Sequence, residues 1–137
     1  MCQINEQSIG DGPVEGYRIY ELHQNGLQDH NLRSICEGAI MPEPGKPTLA
    51  IRGPFHILRS LEDVKLFVKD MKLFLFTRKN LRLYKCSLQG DVKIGDWEGG
   101  ITIAGEVVHP KTATGKVCTI IKEVPFNFMS AGDNKYD

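Results

Sequence analysis

His56 stands in GPFHILRS, just ahead of Ser60, and Ser60 opens the clearest helix signal in the chain. An imidazole at a helix entry lies where backbone amides and the helix dipole hold anions, so it can bind phosphate or donate a proton. Arg18 in GYRIYEL adds a guanidinium, and Glu98 and Glu106 add carboxylates from the second half. Strands that brought these together would assemble a cation, an imidazole and a carboxylate, which makes Arg18, His56, Glu98 and Glu106 the catalytic candidates. Each also has a plain structural role: His56 as a satisfied residue among apolar neighbours, Arg18 and Glu106 as exposed strand positions, Glu98 as a turn residue.

A second group is a run of charge. Between Lys65 and Lys85 the bases Lys65, Lys69, Lys72, Arg78, Lys79, Arg82 and Lys85 face one acid, Asp70. Such a run is either a solvated face or a docking surface for phosphates, nucleic acid or an acidic protein. Trp97, the one tryptophan, is either a turn-anchoring core residue or an exposed contact for a partner.

Several chemistries are excluded. There is no G-x-S-x-G, and no cysteine sits beside a histidine. TATGK at 112–116 lacks the leading glycine of a phosphate loop and has Val117 where its Ser or Thr belongs. Cys2, Cys36, Cys86 and Cys118 are widely spaced with no C-x-x-C pair, so neither a metal site nor a cofactor is expected and the thiols should be reduced and mostly buried. No apolar run is long enough to span a membrane and the N-terminus has no secretory pattern, so the expectation is a soluble, cytoplasmic protein.

The elements that must position these residues follow from periodicity. In S-L-E-D the Ser60 hydroxyl can accept from the Asp63 amide and the Asp63 carboxylate can reach back to the Ser60 amide, so a helix starts here. Leu61, Val64, Phe67, Val68 and Met71 then line one face to about Lys72, with the lysines turned away. LFLF at 73–76 fits a strand buried on both sides or a continuation of the helix, with the strand favoured. GYRIYEL, the short FHIL and LRLYKCSLQ read as strands, the last with Tyr84, Cys86 and Leu88 on one face and Leu83, Lys85 and Ser87 on the other. LQDHNLRSICEG suggests a short helix, MPEPGKP a surface loop, GDWEGG a turn, ITIAGEVV one strand bulged at Gly105, HPKTATGK a loop and VCTIIKEV a last strand. The expected fold is α+β: one domain over 17–125, with a flexible lead-in at 1–16, a loosely held tail at 126–137, and a helix at 60–72 packed on a mostly antiparallel twisted sheet built largely by the second half.

GPFHILRSLEDV is similar to a G-F-H-x-x-x-S-x-x-D segment of small uncharacterised proteins of phages and bacterial mobile elements, with Pro54 inserted between the glycine and Phe55. LYKCSLQGDV followed by ITIAGEV resembles a strand pair of the same proteins. A more distant likeness is to ADP-ribosyltransferase-type domains, where an Arg- or His-bearing first strand and a G-x-[HY] strand lead into a helix. That likeness implies a nucleotide- or NAD-using enzyme, with Arg18 and His56 on phosphate and Glu98 or Glu106 as the polar catalytic group.

At 137 residues, 41% hydrophobic and 25% charged, the chain can bury a core of its own, and 17 bases against 17 acids leave no net field to steer it to nucleic acid or lipid. Three functions remain open: a non-enzymatic protein that binds a macromolecular partner, the nucleotide-using enzyme, and a structural or assembly subunit. The binding role rests on Lys65, Lys69, Lys72, Arg78, Lys79, Arg82 and Trp97. The partner expected is a protein, with a phosphate-bearing ligand or nucleic acid as the alternatives and no membrane.

Overall fold

The structure, a computed structural model, describes residues 3–22, 32–34, 44–50, 54–75 and 80–128. Along these residues run β1 (Gln3–Gly10), β2 (Val14–Leu22), β3 (Leu32–Ser34), β4 (Thr48–Leu49) and β5 (Phe55–Leu58), then helix α1 (Leu61–Asp70) and a helical turn α2 (Lys72–Leu75). After them come β6 (Leu81–Gln89), β7 (Val92–Trp97), β8 (Ile101–Ile103), β9 (Glu106–Val108), β10 (Lys111–Gly115) and β11 (Val117–Val124). One antiparallel sheet has the order β1-β7-β10-β5-β2-β6-β11-β4, with β3 also beside β2, and β8 and β9 form a separate ribbon.

That order cannot lie flat. β6 and β7 stand four places apart in the sheet, yet only Gly90 and Asp91 join them, and β10 reaches β11 through Lys116 alone. At a strand spacing of about 4.8 Å those ends would be roughly 19 Å apart in a flat sheet. Three trans peptide links span about 11 Å at most. The sheet therefore folds over, so that Phe55, Ile57 and Ala113 from one half share an inner core with Tyr20, Cys86, Leu88 and Cys118 from the other. Backbone bonds lace the turns at this end: the Ala50 amide donates to the Lys116 carbonyl at 2.8 Å, Lys116 to Gly90 at 3.0 Å and Gly90 to Asp11 at 3.0 Å.

On the outer face, α1 lays Val64, Phe67 and Val68 against Ile19, Leu58, Leu83 and Trp97. Its start is as expected, with the Asp63 amide donating to Ser60 Oγ at 3.2 Å. Asp63 differs in detail: its carboxylate accepts from the Ser60 hydroxyl at 2.6 Å and from the Lys111 amide at 2.9 Å, which ties the helix to β10. Leu61, expected on the core face, is instead 40% exposed at the first residue of the helix.

Several expectations are corrected. Residues 3–10 are no flexible lead-in but β1, paired with β7, and the residues that resist strand, Gly10, Gly12 and Pro13, fall at its end and in the turn that follows. Residues 72–75 continue as a helical turn instead of a strand, held by the Leu75 amide donating to Met71. Leu32–Ser34 form a strand on β2 where a helix was expected, and the rest of 23–43 lies outside the described residues. ITIAGEVV is a hairpin, not one bulged strand, since Ala104 and Gly105 both take the positive φ of a two-residue turn. GDWEGG supplies the end of β7, and KTATG is β10 where a loop was expected. The first half thus contributes β1 to β5 to a sheet that is not built largely by the second. Phe126 and Phe128 pack edge to face at 4.9 Å against the outer core, and 129–137 lies outside the described residues.

Candidate binding groove

Register assembles a polar row on the outer face. Ser8 lies opposite Lys93, Lys93 opposite Thr114, and Thr114 opposite His56. Residues directly opposite share a face with Cβ atoms about 5 Å apart. One step of two residues along each strand brings Gly95, Thr112 and Leu58, and here α1 closes over the sheet. The row is the part of the same face beyond the helix.

Above it opens a groove of about 360 Å³. Its described lining carries Glu6, Asp91, Lys93, Lys116 and Thr114, with Leu49, Ala50 and Pro54 as the apolar part. Ion pairs occur elsewhere, between Lys65 and Glu62, Lys85 and Glu15, and Lys111 and Asp96. Among the described residues none of the four groove charges is in an ion pair. Thr114 is 3% exposed, and among the described residues its hydroxyl has no hydrogen bond.

Gln3 braces the floor of this end. Its Oε1 accepts from the Thr112 hydroxyl at 2.5 Å, and its Nε2 donates to Glu6 Oε2 at 3.2 Å and to the Lys93 carbonyl at 3.3 Å. The side chain crosses directly over Gly95, where a Cβ would run into it and into the Ile4 carbonyl, so position 95 needs glycine for this crossing.

The residues singled out from sequence are placed apart. Arg18 is 3% exposed, with Nε donating to the Tyr20 hydroxyl at 2.8 Å and its guanidinium 5.0 Å from the Phe55 ring centre. It meets the His56 backbone, Nη1 donating to the His56 carbonyl at 2.6 Å. The cavity beside His56, bordered by Tyr17, Phe67 and Trp97, measures about 20 Å³, room for a single water and not for a phosphate. Glu98 and Glu106 are exposed and line neither this cavity nor the groove.

The basic run is divided. Lys65 lies 3.5 Å from Glu62, Lys85 lies 3.2 Å from Glu15, Lys69 is half-buried, and Lys72 and Arg82 are exposed. Arg82 and Lys85 are three apart on β6 and so project from opposite faces. Arg78 and Lys79 lie outside the described residues. Trp97 takes the core role and not the exposed one: it is 6% exposed, its ring is 4.9 Å from Phe67, and Nε1 donates to Asp70 Oδ2 at 3.1 Å.

Sequence reasoning missed Glu6, Asp91, Lys93, Thr114 and Lys116. One signal was available, the alternation Thr112, Ala113, Thr114, which puts two hydroxyls on one face of a strand. Among the described residues no group of three His, Cys, Asp or Glu can hold a metal ion, and no helix is long and apolar enough to cross a membrane. Comparison with protein-family models, with curated proteins and with solved structures finds no match for this chain.

Proposed function

We propose that this chain is a small non-enzymatic binding protein whose groove over Lys93, Thr114 and Lys116 receives the charged group of its ligand. The observation that carries this reading is the set of four groove charges, none of them in an ion pair among the described residues, beside turns at Asp11, Gly90, Lys116 and Ala50 that are laced to one another. A lysine with no carboxylate at hand keeps its donors for a ligand, and turns held by one another do not have to be ordered when the ligand arrives. Thr114, a residue 3% exposed, adds a hydroxyl that has no hydrogen bond among the described residues.

The basic run supports a partner surface less well, because it is split between faces and Lys65 and Lys85 already have acids nearby. The enzymatic alternative is not favoured either, since Arg18 is sealed in the inner core and His56 has space for one water. An assembly role that used an exposed Trp97 lacks that residue.

The test uses fragment probes on ¹⁵N-labelled protein. Acetate should shift the amides of Lys93, Thr114 and Lys116 saturably, and methylammonium those near Asp91 and Glu6. Shifts that are linear in concentration or spread evenly over the chain would end the proposal.

A further inference from the structure

From the composition of the groove walls we infer that the ligand is a free α-amino acid with an apolar side chain. This rests on the groove being a binding site and goes beyond it by naming the ligand class. The described lining holds two cations, Lys93 and Lys116, two carboxylates, Glu6 and Asp91, and the apolar wall of Leu49, Ala50 and Pro54.

Three features of a ligand match three kinds of wall. A carboxylate fits the two ammonium groups and the Thr114 hydroxyl, which has no hydrogen bond among the described residues. An ammonium fits Asp91 and Glu6; Glu6 is held in place by the Gln3 amide. An apolar side chain covers Leu49, which is otherwise 67% exposed.

The same charges argue against other ligands. Inorganic phosphate carries more negative charge than a single carboxylate, so the Glu6 and Asp91 carboxylates in the groove disfavour it most, as a repulsive filter. A polypeptide terminus offers only one of the two charges, so it leaves either the lysines or the acids desolvated without a partner. A free amino acid satisfies both sets at once, and a groove of about 360 Å³ admits one.

The experiment is a set of amide-shift titrations on the full chain with four probes: L-leucine, leucinamide, N-acetyl-leucine and inorganic phosphate. Leucine should bind at least about tenfold tighter than either single-charge analogue, a difference of about 1.4 kcal/mol, with its largest shifts at Lys93, Thr114 and Lys116. Asp91→Asn should weaken leucine and, by removing a repelling carboxylate, leave N-acetyl-leucine as tight or tighter. If N-acetyl-leucine or phosphate binds as tightly as leucine, the groove is a plain anion site: the amino-acid inference fails and the binding reading stands. If no probe produces saturable shifts there, and acetate does not either, both fail together. Wild-type spectral dispersion for Asp91→Asn confirms that the comparison is made on folded protein.

Discussion

The two ends of the outer face share strands β5, β7 and β10 but have opposite characters. At one end Leu58 and Trp97 lie under α1 beside Thr112, whose hydroxyl is taken by Gln3. Two residues away along the same strands, His56, Thr114 and Lys93 lie beyond the helix, and among the described residues the Thr114 hydroxyl is not taken. The difference is set by where α1 ends its cover, not by the strands themselves. One end holds the fold together, and at the other the proposed binding groove opens.

The largest break in this comparison comes from the covered end. Phe67→Ala removes a ring that is 1% exposed and packed on Trp97, and it should cost about 3–5 kcal/mol in urea unfolding. A loss below about 1 kcal/mol would mean that α1 does not anchor this end. Next comes Asp63→Ala, which takes the acceptor from both the Ser60 hydroxyl and the Lys111 amide and should cost about 1–3 kcal/mol. A cost confined to helix content, with β10 amides still protected from exchange, would show that the bond to Lys111 contributes nothing.

Legibility in the sequence followed the range of the interactions. Ser60 and the Tyr84, Cys86, Leu88 face were readable because a cap and a period-two strand are local patterns. β7 and β10 were not, because Gly95 and Gly115 mimic loop composition and Gly95 is there for a side chain that arrives from Gln3. The groove was hidden for the same reason. Glu6, Asp91, Lys93 and Lys116 come from a strand near the N-terminus, a turn, β7 and another turn, and only the pairing of β1 with β7 and the folding over of the sheet collect them. Arg18 was misleading because cation and rings satisfy each other inside the core, an arrangement that leaves no periodic trace.

The inner core gives a pH control on both ends. Cys86 is held well above its ordinary pKa of 9.0 by its hydrogen bond with Cys118 and by burial, and burial holds Tyr20 well above 10.0 against the opposing Arg18 guanidinium. Such acids keep their protons in the fold while the unfolded chain releases them, so their contribution is whole below the unfolded pKa and shrinks as pH rises past about 9. Urea midpoints should fall above about pH 9 with a slope that Cys86→Ala reduces. An unchanged slope in that variant would remove the thiol from the account.

Smallest of all on stability is the open end. Lys93→Ala with Lys116→Ala should change unfolding free energy by less than about 0.5 kcal/mol, and yet abolish the acetate-induced shifts. A large stability loss would make these lysines structural after all.

The most direct test sets Thr112→Val beside Thr114→Val, two substitutions of equal size on one face of one strand, each measured for unfolding and for acetate binding. Thr112→Val strands the Gln3 carbonyl oxygen and should cost about 1–2 kcal/mol, with acetate affinity kept. Thr114→Val should leave stability within about 0.5 kcal/mol of the wild type and weaken acetate several-fold. If Thr114→Val destabilises the chain as much as Thr112→Val and leaves acetate binding untouched, the open end is part of the fold and not a site.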